Sequence, residues 1–543
     1  MGGAIHNAEL TLLILVVLVA LLAVLAQKLK TPYPIVLVLG GLGLSFFRAI
    51  PHVSLNPTFV FLVILPPLVF ASSLNTPWRE FRSNISSISM LGLGLVAFTV
   101  AGVAVIAHLF VPGFDWRSGA VLGAVVSTTD VIAVGAIASR VGLPHSLLEI
   151  IEGESLVNDA TGLLALQFST AMVVSGTAPS FSSGVADLVW LIFGGVAAGL
   201  FVAWVISRFD RFLFSRYPAA GELQMLVSLA TPYFAYLLGE ALHASGVLAT
   251  VACGLYLGRS ASENLSSRAR LDTRAVWNTI DFVLNGLVFI VIGLQLPTIL
   301  GGIRPESGHG PLNWPRMILG AALISVIVIG LRLVWMFPGA YIARFLRVHL
   351  QKQNAPRPKP RELVVMAWSG MRGVLTLAAA LSLPFFTAGG ERFPHREAII
   401  FLAFSVILVT LVGQGLSLPA LIRGLGVSEP KEAQDEARQA RKVMLGFVLQ
   451  TLRAIDTSQD EVEAKAVDQL IRVYDQRLLG LSRKAEQQNE ALLDRKSREL
   501  ATQVRAAQRQ ELARLRSEGR FREATLRNLE RELDLMDLRW EEN

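Results

Sequence analysis

The sequence is poor in cysteine and, over most of its length, in charge. Cys253 is its 1 cysteine among 543 residues. It cannot form an intrachain disulfide, and within its apolar run it reads as a small buried hydrophobe that says nothing of redox compartment. Asp, Glu, Lys and Arg make up 17% of the chain, against about 25% in soluble domains. The scarcity is local. From Arg423 to Asn543 there are about 23 basic and 23 acidic residues, leaving about 26 basic and 19 acidic for the first 422 positions. The front part thus carries the whole net charge of +7 on few charges, while the tail is charge-dense and neutral. That distribution excludes a single soluble domain, a disordered chain and a disulfide-built scaffold. A pI near 9.7 suggests nucleic acid at first sight, but the basic residues fall in short loops between apolar stretches, so no nucleic-acid partner is expected. With 52% apolar residues and a mean hydropathy of +0.51, the chain reads as an all-α polytopic membrane protein.

A bilayer core needs about 20 apolar residues per helix. The first run, Leu10–Ala26, is followed by Lys28 and Lys30, not preceded by basic residues, and no small-residue cleavage site is evident, so it is kept as a span. Further runs lie near 34–47, 58–73, 88–112, 118–139, 155–175, 184–206, 223–242, 246–258, 276–296, 317–343, 363–386 and 398–421. About thirteen spans put the termini on opposite sides. The loop set holding Lys28, Arg208, Arg211, Arg274 and the 344–361 cluster carries roughly eighteen basic residues, and the opposite set about six. The N-terminus is therefore expected outside and the C-terminus in the cytoplasm, in a plasma (inner) membrane. Pro356, Pro358 and Pro360 read as a stiff cytoplasmic connector. Residues 1–425 form the expected membrane domain. Residues 426–543 form a helical tail with stripes at Val467, Leu470, Tyr474 and Leu478 and at Leu526, Leu529, Leu533, Met536 and Trp540, serving dimerisation or regulation.

Ionisable residues at lipid depth are costly, so each is a functional candidate. The fifth run contains Ser127-Thr128-Thr129-Asp130, and the sixth opens Glu152-Gly153-Glu154-Ser155-Leu156-Val157-Asn158-Asp159. Helical spacing puts Ser155, Asn158 and Asp159 on one face. The short link between the two runs makes them neighbours, so Asp130 and Asp159 are expected to meet near the midplane. Two carboxylates, an amide and hydroxyls are hard-oxygen chemistry suited to Na⁺, Li⁺ or K⁺, without the His and Cys cluster of a transition-metal site. The expected cation and proton site is thus Asp159, Asp130, Asn158, Ser155 and Thr129, with the choice among Na⁺, Li⁺ and K⁺ left open by the residues. Arg332 and Arg372 must be paired at that depth. Glu154 is their natural partner, and the residues alone leave open which of Arg372 and Arg332 it takes. Asp281, Asn285 and Gln295 are expected to make helix–helix hydrogen bonds. A bare carboxylate at mid-membrane is costly, so competition of a proton and a cation for Asp159 suffices for one-for-one, electroneutral exchange.

Glu152-Gly-Glu-Ser-Leu-Val-Asn-Asp159, with Thr129-Asp130 and Gly370-Met-Arg-Gly-Val-Leu-Thr376, resembles the monovalent cation:proton antiporters of the bacterial NhaP type, which are related to the eukaryotic sodium/proton exchangers. The resemblance runs from about residue 10 to about 421. It implies a homodimer of thirteen-helix protomers with inverted repeats, a core of crossed, broken helices that moves like an elevator, and no cofactor beyond the transported Na⁺ and H⁺. Carried over by motif, Asp159 matches the ion-binding aspartate, Asp130 and Thr129 the Thr-Asp pair, Ser155 the coordinating hydroxyl and Glu154 the glutamate that pairs with an arginine, here Arg372 by preference with Arg332 as the alternative. The resemblance also implies Na⁺ as the ion, held by Asp159, Asp130, Ser155 and Thr129. Val131 stands where many relatives carry proline. An intramembrane aspartyl protease, which also needs two membrane aspartates, is disfavoured because neither aspartate lies in a Gly-x-Gly-Asp string. A channel or a receptor signalling through the tail is the third reading.

Overall fold

The computed structural model describes residues 2–47, 56–111, 113–176, 181–216, 221–264, 267–302, 314–349, 357–427, 431–455 and 461–482, with isolated positions between 504 and 515. Among these residues every named element is a helix, and one isolated bridge joins Phe386 and Arg392. It divides into two compact units, Met1–Glu429 and Pro430–Asn543.

The first unit opens with α1 (Gly2–Lys28) and α2 (Tyr33–Leu44). A π-helical turn at Val60–Ile64 leads into α3 (Leu65–Asn75), followed by the short α4 (Trp78–Ser83). A second π-turn, Met90–Leu95, leads into α5 (Val96–Phe110). Next come α6 (Trp116–Val125), α7 (Val131–Val141), α8 (His145–Ser175) and α9 (Phe181–Arg216). They are followed by α10 (Gly221–Ala241), α11 (Gly246–Asn264), α12 (Ser267–Leu294) and α13 (Trp314–His349). The unit closes with α14 (Pro360–Trp368), α15 (Val374–Leu381), α16 (Arg396–Leu408) and, beyond a third π-turn, α17 (Gly415–Leu425). Each apolar run of the sequence falls on a helix or on a pair of helices.

Among the described residues, seven stretches are long and apolar enough by composition alone to cross a membrane: Leu10–Lys28, Pro57–Asn75, Ile85–Phe110, Ala186–Leu213, Arg270–Gly301, Pro315–His349 and Arg396–Leu425. The runs that miss this criterion do so for physical reasons. α8 carries the Glu and Asp residues of its motif, and α6, α7, α14 and α15 are halves of interrupted helices. Interrupted helices are tolerated at membrane depth only where protein covers the exposed backbone. Here it does: every residue of α6 from Ser118 to Val125 is buried, as is every residue of α15 from Val374 to Ala380. The π-turn at Met90–Leu95 also releases carbonyls from the helical ladder. Thr161 Oγ1 donates to Gly92 O, and Trp335 Nε1 donates to Met90 O at 3.0 Å, so α8 and α13 are tied to this turn.

In the second unit α18 (Lys431–Arg453) and α19 (Glu461–Ser482) pack as a helical pair. Arg453 meets Asp475 across it at 3.3 Å. In the stripe expected on α19, Val467, Tyr474 and Leu478 are half-buried, whereas Leu470 is exposed. The stripe from Leu526 to Trp540 lies outside the described residues.

Candidate functional site

The site is built where two interrupted helices cross. In the first, α6 stops at Val125 and α7 starts at Val131, with Val126–Asp130 between them. Ser, Thr and Asp side chains compete for backbone hydrogen bonds and favour caps over helix interiors. Ser127 Oγ donates to Ala124 O at 2.8 Å, closing α6. Asp130 is the N-cap of α7, its Oδ1 accepting from Ile132 N at 2.8 Å. The break therefore forms with Val131 in place of a proline. In the second interrupted helix, Ser369–Gly373 separates α14 from α15.

The breaks are stitched together. Asp130 N donates to Met371 O at 2.7 Å, and the hydroxyls of Thr128 and Thr376 are hydrogen-bonded at 2.9 Å. Gly373 lies against the Asp130 carboxylate so closely that a Cβ there would overlap Asp130 Oδ2. The N-termini of α7 and α15, the positive ends of their helix dipoles, thus converge on Asp130. Gly373→Ala is expected to push Asp130 off its cap, costing about 1–3 kcal/mol of overpacking. A melting temperature in detergent lower than the parent's checks it.

The opposite, carbonyl-bearing ends are covered by the two buried arginines. Arg372 Nε donates to Val126 O at 3.1 Å, its Nη1 donates to Gly370 O, and its backbone N donates to Thr410 Oγ1 at 3.1 Å. Arg332 Nε donates to Ala367 O at 3.1 Å and Nη2 to Met366 O at 3.1 Å. Its two Nη groups also grip the carboxylate of Glu154 in a fork, Nη2–Oε2 at 2.8 Å. This corrects the expected pairing: the partner of Glu154 is Arg332, named as the alternative, and not Arg372. The reason is local. Gly370 has no side chain, and a Cβ there would overlap the Arg332 guanidinium, so Arg332 passes the second break to reach Glu154. Arg372, on the break itself, is consumed by carbonyls.

α8 supplies the rest of the site. Ser155 Oγ donates to Thr129 O at 2.7 Å, and Asn158 Nδ2 donates to Thr129 Oγ1 at 2.6 Å. These bonds fix α8 against the first break. They leave Asp159 Oδ1 and Asn158 Oδ1 buried without a hydrogen-bond donor among the described residues. Buried acceptors without donors are costly. A hard cation, which takes oxygen ligands, satisfies them.

A cavity of about 380 Å³ joins these groups. Thr129, Asp130, Ser155 and Asp159 all line it, so both aspartates face one cavity. Asn158 is buried behind it, with its amide turned to Thr129. Glu154, wholly buried with Arg332, stays out of the lining. Asp281 and Asn285, expected to bond helix to helix, line the cavity from α12 instead, and both side-chain atoms of Asn285 lack hydrogen-bond partners among the described residues. Tyr33, Glu152 and Thr376 also line it. Thr376 stood inside a quoted motif and Glu152 at the head of another. Tyr33, at the start of α2, carries no signal in the sequence.

The cavity reaches Asn75 at the C-terminal end of α3, Glu152 in the N-terminal part of α8, and Trp277 and Asn278 in the N-terminal part of α12. Those parts lie towards the loops rich in Lys and Arg.

The profile of the family described as "Sodium/hydrogen exchanger, transmembrane" matches residues 14–424. The sodium, potassium, lithium and rubidium/H⁺ antiporter of Bacillus pumilus is 33% identical over 457 residues, covering 83% of this chain, which spans 66% of that relative's length. YjcE of Escherichia coli, named as an uncharacterized Na⁺/H⁺ exchanger, is 30% identical over 523 residues, with 94% of each chain covered. In fold, the chain is similar to the sodium proton antiporter MjNhaP1 of Methanocaldococcus jannaschii, with a TM-score of 0.62 at 18% identity over 78% of this chain and 99% of that one.

Proposed function

The chain belongs to the sodium/hydrogen exchanger family, a family of transporters and not of enzymes, and on that premise we propose that it exchanges Na⁺ for H⁺ by competition at Asp159. The observation that carries this reading is the pair of donor-less oxygens, Asp159 Oδ1 and Asn158 Oδ1, beside the cavity that Asp130, Thr129 and Ser155 also line. A proton or a cation at Asp159 neutralises the carboxylate, and only a neutral site crosses the membrane cheaply. Of the two aspartates on α8 and the first break, Asp159 is the one left to exchange partners. Asp130 Oδ1 is bonded to the α7 amide and Asp130 N to Met371, whereas Asp159 Oδ1 is bonded to nothing among the described residues. Exchange is therefore one for one and electroneutral. Na⁺ is the first choice, and Li⁺ or K⁺ would use the same ligand types.

With the basic loops in the cytoplasm, the cavity opens inward, the N-terminus lies outside and the tail is cytoplasmic. The relevant membrane is the plasma membrane, and the assembly is a homodimer. Competition sets the sign of the pH dependence: lowering pH raises the apparent KM for Na⁺, by about tenfold per unit once the proton outcompetes the cation. A pH-gradient dye in everted vesicles tests the reading. Added Na⁺ should collapse an acid-inside gradient, and in proteoliposomes the rate should not change when a K⁺–valinomycin clamp sets the membrane potential. A rate that follows the clamped potential would overturn the one-for-one ratio, and absence of any cation-driven collapse would overturn exchange itself.

A further inference from the structure

A second cavity, of about 1140 Å³, lies where α3, α4, α11 and α12 end or begin. Its lining brings together Arg79 and Arg82 of α4, Arg259 of α11 and Arg274 of α12, with Glu80 as the single carboxylate among the described lining residues. All four arginines are exposed, and none is ion-paired among the described residues. They come from three separate stretches of chain, so this is not the solvated face of one helix. Trp78 and Pro77 also line it, where apolar runs give way to basic loops and amphipathic rings settle. Like charges lining one cavity repel one another, and guanidinium is the group that meets phosphate oxygens bidentately.

We propose that this cavity binds a phosphate-bearing anion, the headgroup of an anionic phospholipid or a free phosphate, and that its occupancy controls cation access to the exchange site. Binding stands on the cavity alone, while the control of access rests on the exchange reading. Asn75 lines both cavities. Arg274 lies one helical turn before Trp277 and Asn278, which line the ion cavity. Unneutralised, the four positive charges lower the local concentration of an approaching cation, and a bound phosphate cancels that repulsion. Basic pockets between membrane helices are suited to anionic headgroups for the same reason.

The test uses the full chain, with Arg79→Gln/Arg82→Gln as the mild variant and Arg79→Gln/Arg82→Gln/Arg259→Gln/Arg274→Gln as the full one. Native mass spectrometry counts retained phosphatidylglycerol, and radiolabelled inorganic phosphate probes the free anion. The parent should retain phosphatidylglycerol or phosphate, and the full variant should lose on the order of tenfold in retention. Retention of the lipid alone assigns the headgroup, and retention of inorganic phosphate alone assigns the free anion. Equal retention by parent and variants, at unchanged melting temperature, overturns the site. In proteoliposomes of phosphatidylcholine, adding phosphatidylglycerol (or phosphate, if that is what binds) should lower the parent's KM for Na⁺ on the order of fivefold beyond any change in the full variant. An identical fall in both overturns the control of access while leaving exchange intact. Binding without exchange in either protein overturns the exchange reading and leaves the site standing.

Discussion

Everted vesicles carrying Asp159→Asn should fail to collapse an acid-inside gradient on addition of Na⁺, with exchange at least about 100-fold below the parent. Asparagine keeps the volume and one acceptor oxygen of Asp159, so the packing of α8 should survive. It cannot take up or release a proton, and it cannot neutralise a cation, so the alternation between two charge-balanced states is gone. Asp130→Asn is the control that separates the two carboxylates. Asparagine is as good an N-cap as aspartate, so the amide of Ile132 keeps its acceptor and α7 its start. That variant should hold Na⁺ more weakly and still couple its movement to protons. Measuring both variants against Na⁺ concentration at two pH values reads the difference: a raised KM with persisting exchange for Asp130→Asn, and no exchange at any concentration for Asp159→Asn. Robust exchange by Asp159→Asn would mean that another group carries the proton. Asp281, which lines the same cavity, would then be the next to replace.

The Asn158-Asp159 pair and Asp130 could be read from sequence because polar residues in apolar runs are conspicuous, and α8 places them by simple helical periodicity. The break at Val126–Asp130 was not legible in the run 118–139 itself and entered only through the resemblance, which implies broken helices; the capping by Ser127 and Asp130 that makes it is seen in the structure. What sequence did not give was direction through space. Asp281 and Asn285 lie on one face of α12, but periodicity does not say whether that face meets a helix or a cavity. The partner of Glu154 was undecided because both arginines lie at suitable depth. The choice turns on Gly370, whose missing side chain opens a path for Arg332, and on Val126 O and Gly370 O, which occupy Arg372. The arginine cavity was invisible because Arg79, Arg259 and Arg274 each look like ordinary loop-flanking charges until α4, α11 and α12 are brought together.

Removing Arg332 should cost more stability than removing Arg372, because each strands two carbonyls but only the loss of Arg332 strands a carboxylate as well. Arg332→Met strands the Glu154 carboxylate, which is wholly buried, and breaking such a pair from one side typically costs about 3–5 kcal/mol. Arg372 meets carbonyls and no carboxylate, so Arg372→Met leaves donor-less carbonyls at about 1–3 kcal/mol each, but no uncompensated charge. Melting temperatures in detergent should therefore fall in the order parent, Arg372→Met, Arg332→Met. If Arg372 were the partner of Glu154, the order of the two variants would reverse. Glu154→Leu/Arg332→Met adds a further discrimination. Replacing both members of a buried pair by apolar groups is often neutral or better, so the double variant should recover much of the stability lost in Arg332→Met. Recovery should stay incomplete, because Arg332 also donates to Met366 O and Ala367 O at the end of α14, and no apolar side chain replaces those bonds. Exchange should remain impaired in the double variant even where the fold returns: without those two bonds α14 is no longer held at the break, and the register of Met371 O with Asp130 N loses its anchor.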